Sequence, residues 1–206
     1  MSIILHFLLG GAVSFIGSLP MGLINLTVAE TAISRGMRAA LWLAFGAVLV
    51  EFGQILIALF FADWFFDDEV RQFWMRAIGS VVFIILGLYY IVKKVDDIHV
   101  KQDEQTGKHN SFLRGLGLSA VNMMAIPFWL VYGAMLQTQD ILSKEGDLML
   151  SFALGAAIGT FGLFIVYARL GMYILRRAKL ISRYASTIIG CILLGLGLFF
   201  LIKLFV

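Results

Sequence analysis

One acid stands where an acid is costly. Glu51 lies in the middle of the run Ala39 to Ala62, which holds no other charged residue, and a charge halfway through a bilayer-crossing helix costs on the order of 3 kcal/mol or more. Such a residue should face protein or water. On a helix Ala47, Glu51, Gln54 and Ala58 fall at i, i+4, i+7 and i+11, a narrow stripe of small and polar side chains, while Leu49, Phe52, Leu56 and Leu59 point mainly elsewhere. No Lys or Arg lies at comparable depth in another apolar run, so no permanent counter-charge is visible. Desolvation penalises an unpaired carboxylate, so Glu51 is expected to hold a proton and to release it when a cation or water arrives. With Gln54 it is the candidate proton-coupling and substrate-binding pair. The plainer alternative is a protonated Glu giving one hydrogen bond between helices.

The chain's two prolines are the second chemical feature. Pro20 sits in Gly17-Ser18-Leu19-Pro20-Met21-Gly22, and Pro127 follows Asn122 in another apolar run. A proline there removes a backbone hydrogen bond and frees a carbonyl about a turn earlier, which lipid cannot satisfy but a wet, protein-lined cavity can. Gly17 and Gly22 ease unwinding around Pro20. A second half-helix starting near Pro20 points free amides and a positive dipole end into the membrane, where a carboxylate can be held. Gly17, Pro20 and Pro127 are therefore the expected helix breaks, and Pro20, Gly22, Asn25, Asn122 and Thr160 the expected substrate contacts. For Asn25, Asn122 and Thr160 a simple helix-to-helix hydrogen bond is the competing reading.

The elements that position these residues are membrane spans. Of 206 residues 61% are hydrophobic and 14% charged, far from the usual soluble balance. Apolar runs near 3 to 29, 39 to 62, 74 to 92, 115 to 136, 148 to 169 and 184 to 205 each approach the length of about 20 residues that a hydrocarbon core requires. The fold class is thus all-α and polytopic, with six transmembrane helices. The first run lacks the basic start of a signal peptide and continues past any cleavage site, so it is read as a retained helix. Placing the N-terminus outside gives inside loops with eleven Lys and Arg (35, 38, 93, 94, 101, 108, 114, 176, 177, 179, 183) against four outside (71, 76, 144, 203), which predicts both termini outside.

Three spans, a cytoplasmic loop and three further spans also form the arithmetic of an inverted repeat. Gly46-Ala47 with Phe52-Gly53 reappears as Gly155-Ala156 with Phe161-Gly162, 109 residues on, and Pro20 is matched by Pro127. The expected organisation is one transmembrane domain over 1–206: a first three-helix repeat at 1–92, a mobile cytoplasmic linker at 93–114 and a second three-helix repeat at 115–206. Gly155-x-x-x-Gly159 is read as close packing, within the chain or between subunits.

Other chemistry lacks its signatures. His6, His99 and His109 have no metal-ligand spacing, and Cys191 has no partner in sequence. There is no G-x-x-x-x-G-K-[ST] phosphate loop and no basic stripe with interleaved aromatics for nucleic acid. We expect no enzyme, no cofactor and no metal site. A proton or ion gradient is the remaining energy source.

Pro20-Met21-Gly22-Leu23-Ile24-Asn25 resembles the P-x-G-P-x-N element of the lysine exporter (LysE) family of bacterial amino-acid exporters, and Ser34 to Ala39 its S-R-G-x-R-x-G loop. Gly46 to Glu51 is similar to its G-x-x-x-G-D stretch, with Glu51 at the acidic position, and Asn122 to Ile126 to N-P-K-A-I. Leu23 stands in place of the second proline, Met123 and Met124 in place of Pro and Lys, and Pro127 comes one turn later. The resemblance covers essentially the whole chain. It implies efflux of small amino acids or similar zwitterionic solutes across the bacterial cytoplasmic (inner) membrane, and proton antiport as the drive. The expected partners are a small-molecule substrate, protons and the lipid bilayer, with a monomer or a homodimer as working unit. Two alternatives stay open: an exporter of inorganic ions, and a non-transporting membrane scaffold or assembly subunit.

Overall fold

The computed structural model describes residues 2–19, 22–66, 69–92, 108–122 and 125–171, together with 187, 190–191, 194–195, 197–199 and 201–202. These residues contain seven named helices: α1 (Ile3–Gly17), α2 (Leu23–Arg35), α3 (Met37–Phe66), α4 (Glu69–Val92), α5 (Lys108–Ala120), α6 (Ala125–Thr138) and α7 (Gly146–Arg169). Two of them are long and apolar enough to cross a membrane unaided, Met37–Ala62 and Gly146–Arg169, of 26 and 24 residues. At 1.5 Å per residue they reach roughly 39 and 36 Å, beyond a hydrocarbon core of about 30 Å.

The first and fourth apolar runs are interrupted. The first is divided into α1 and α2, and the fourth into a bent pair, His109–Ala120 and Ala125–Gln137, whose axes meet at 61°. Helix α5 starts at Lys108, inside the stretch expected to be a linker, because the polar first turn Lys108-His109-Asn110-Ser111 continues the helix beyond its apolar part. The remainder of that linker and most of the sixth run lie outside the described residues.

Local chemistry sets the helix ends. Ser2 caps α1 by accepting from the Leu5 amide. Thr27, Thr31 and Ser34 return their hydroxyls to carbonyls one turn back on α2, which satisfies them within an apolar environment. Gly36 ends α2 at φ 85, a backbone region where a side chain is strained.

The chain divides into two units, Met1–Ala62 with Val100–Arg176, and Asp63–His99 with Arg177–Val206, and each draws on both halves of the sequence. In the first unit, glycines bring helix backbones together. A methyl at Gly10 of α1 would lie 2.0 Å from the Phe152 carbonyl of α7, and one at Gly155 of α7 would lie 1.9 Å from the Phe7 carbonyl. Gly159 abuts Gly11 in the same way, so the G-x-x-x-G pair is used inside the chain. Helices α5 and α3 meet likewise: a methyl at Gly115 would lie 2.0 Å from the Leu43 carbonyl, and one at Gly46 would lie 2.3 Å from the Phe112 carbonyl. Lipid supplies no hydrophobic drive between helices, so such backbone approach is a main source of attraction. Leu49, Ile57 and Phe60 of α3 and Leu150, Leu154 and Ile158 of α7 are exposed, as lipid-facing residues are. In the second unit, Gly87 of α4 packs against Gly190 and Leu194, and Gly197 against Ser80 and Ile84.

Candidate functional site

Glu51 sits near the middle of α3 and is half-buried. Thr160 of α7 donates its hydroxyl to Glu51 Oε1 at 3.2 Å, and Ser14 of α1 hydrogen-bonds to the same Thr160 hydroxyl. Trp129 of α6 is a second side chain beside the carboxyl. Its ring is held edge-on against Phe152, with centroids 5.9 Å apart. Ser14, Thr160 and Trp129 are buried. With Glu51 ionised, Thr160 must donate to the carboxylate, and its one hydroxyl proton being used, Ser14 must donate to Thr160. With Glu51 protonated the chain can run the other way. The three groups form a hydrogen-bonded path whose polarity follows the charge on Glu51.

Of the stripe on α3, Ala47, Gln54 and Ala58 are buried, and so is Leu59. The inward face is therefore broader than four positions, because Leu59 packs in the core beside Trp129 and Phe152. Gln54 donates its Nε2 to the Ser119 carbonyl of α5 at 3.2 Å, while its Oε1 is buried without a partner among the described residues.

The interruption of the first apolar run is closed by side chains on its carbonyl side. Asn25 Nδ2 donates to the Ser18 carbonyl at 2.8 Å, and the Tyr167 hydroxyl of α7 donates to the Leu19 carbonyl at 2.9 Å. On its amide side, Gly22 is the N-cap of α2 at φ −83; among the described residues no side chain caps the helix, and a methyl on Gly22 would meet nothing within 4 Å. This end of α2 combines open space with the positive end of a helix dipole. Pro20 lies outside the described residues. Gly17 ends α1, and a methyl there would lie 2.7 Å from the tip of Phe128, so the end of α1 adjoins the start of α6.

In the fourth run α5 ends at Ala120 and α6 begins at Ala125, before Pro127. Asn122 turns the backbone there, its amide on the Ser119 carbonyl and its own carbonyl accepting from Ala125. Pro127 is the third residue of α6, in the first turn, where a missing N–H leaves no intrahelical bond unmade.

The structure thus brings Glu51 and Thr160 into contact and sets Asn25 at the first interruption. Sequence reasoning missed Ser14, Trp129 and Tyr167. Ser14 had one signal, its place four residues after Gly10 on a small-residue face. Tyr167 lies seven residues after Thr160 and thus on the same side of α7. Trp129 had none.

Long apolar helices with exposed apolar faces and two interrupted apolar runs mark a multi-pass membrane protein, and the family match places it among transporters. The family model described as LysE type translocator matches residues 15–204, and the chain belongs to that family. Comparison with curated proteins and with solved structures returned no match.

Proposed function

We propose that this transporter is a secondary exporter of amino acids or similar small zwitterionic solutes, driven by proton antiport across the bacterial cytoplasmic membrane. The observation that carries the reading is Glu51, an acid at mid-span that is half-buried and hydrogen-bonded to Thr160 of another helix. The solute carboxylate sits at the uncapped start of α2, near Gly22 and Asn25, and Glu51 holds either its ammonium group or a proton. One carboxyl that serves two cations in turn couples inward proton flow to outward solute flow.

Six spans in two inverted three-helix repeats, with both termini outside, supply the alternating access. Repetition of the glycine contacts supports this organisation. Gly10 against Phe152 and Gly155 against Phe7 have counterparts in Gly115 against Leu43 and Gly46 against Phe112. The counterparts lie 105 residues on for α1 and α5, and 109 for α3 and α7.

A thermal-unfolding screen of the purified protein against amino acids and divalent cations tests the substrate class. A bound solute at 100 times its Kd adds about 2.7 kcal/mol to stability, enough for a clear rise in melting temperature. Stabilisation by amino acids, followed by their counterflow in liposomes, is the expected result. Stabilisation by divalent cations alone would overturn the substrate assignment.

A further inference from the structure

The 105 and 109 offsets that relate the glycine contacts also relate the polar ones. Carried along α1 and α5, Ser14 corresponds to Ser119; carried along α3 and α7, Glu51 corresponds to Thr160. The Thr160–Glu51 hydrogen bond, between residues 109 apart, therefore joins a position to its own counterpart and lies on the relation between the halves. The Ser14–Thr160 bond does not. Its image is a bond from the Ser119 hydroxyl to Glu51, and among the described residues that bond is not formed; Ser119 is buried on α5, where its backbone carbonyl accepts from Gln54 Nε2, the side chain one turn from Glu51 on α3. Of two equivalent hydroxyls, one is bonded to the central pair and the other is not.

Resting on the inverted-repeat export reading, we infer that Ser14 and Ser119 are positioning residues that alternate on the central pair. Ser14 latches Thr160 in the conformation described, and Ser119 donates to the Glu51 carboxyl in the opposite-facing one. Two inverted repeats that exchange conformations convert every contact into its image, so a contact made on one side only marks which state is occupied. The chemistry of the exchange favours directionality. In the observed state Glu51 receives a hydroxyl through Thr160, which Ser14 polarises; in the other it receives Ser119 as well. The acid thereby meets a different set of donors on each side of the cycle, which is what unequal hold on proton and solute requires.

The test uses the full chain in lipid nanodiscs and liposomes, with Ser14→Ala, Ser119→Ala, the double variant and Ser119→Thr. Hydrogen exchange reads the state. Ser14→Ala should raise exchange in α1 and lower it in α5, Ser119→Ala should do the reverse, and the double variant should return to the wild-type balance. Turnover in liposomes should fall about tenfold in each single variant, the population shift that one hydrogen bond sets, and Ser119→Thr should restore it. The inference is overturned if both single variants move exchange in the same direction, or if Ser119→Ala alters neither exchange nor turnover. If the wild type carries no solute while the two variants still shift exchange in opposite senses, the alternating pair stands and the export reading falls.

Discussion

Replacing Gly155 with Ala tests the packing that holds Thr160 against Glu51. The new methyl would lie 1.9 Å from the Phe7 carbonyl oxygen, 2.7 Å from its carbon and 2.9 Å from its Cα. Reaching even 3.0 Å from the oxygen requires α1 and α7 to part by about 1 Å, and the obstacle is backbone that cannot rotate aside. Overpacking of this kind costs about 1–3 kcal/mol, and parting the helices also stretches the Ser14–Thr160 contact five residues along α7. Gly46→Ala, whose methyl would lie 2.3 Å from the Phe112 carbonyl, should behave alike. Gly53→Ala and Gly162→Ala are the controls. They too are 109 residues apart, but their added methyls meet nothing within 4 Å, and Ala is favoured over Gly in a helix by up to about 1 kcal/mol. Thermal unfolding in detergent micelles should place Gly155→Ala and Gly46→Ala several degrees below wild type and the two controls at or above it. A wild-type melting temperature for Gly155→Ala, or an equal fall in all four, would mean that these glycine approaches do not set the helix spacing.

Tyr167→Phe removes the hydroxyl that donates to the Leu19 carbonyl. Leaving that acceptor without its partner should cost about 1–3 kcal/mol, measured by denaturant titration in micelles; unchanged stability would mean that the interruption does not depend on α7. Gly22→Ala should melt with the wild type, because its φ is −83 and the methyl meets nothing. In liposomes it should weaken apparent affinity several-fold at undiminished maximal rate, since the methyl stands where the solute carboxylate approaches. Wild-type affinity would move the carboxylate site elsewhere.

Much of the bundle was legible in the sequence because its cost is local. A lone acid in an apolar run and a proline between glycines are each expensive within a few residues, so Glu51 and the first interruption stand out from residue types and spacing alone. The 109-residue repetition of Gly46-Ala47 and Phe52-Gly53 shares its spacing with Glu51 and Thr160, but a shared offset does not say that two residues touch. What was illegible is long-range. Ser14 meets Thr160 across 146 residues and Tyr167 meets Leu19 across 148, pairings fixed by how glycine faces dock rather than by any local pattern. The fourth run is misleading for a different reason: Pro127 draws attention, yet the turn is made by backbone bonds around Asn122, and a proline fits the helix start that follows.

Proton antiport as proposed requires the Glu51 carboxyl to exchange a proton for cargo. Glu51→Gln keeps the shape and can still accept from Thr160, but it cannot take up or release a proton in the working pH range. In liposomes with a pH-sensitive dye, the wild type should move protons when an amino acid identified by the stability screen is added, and Glu51→Gln should fold, bind that amino acid more weakly and move no protons even at saturating concentration. Full substrate-dependent proton movement by Glu51→Gln would remove this acid from the mechanism.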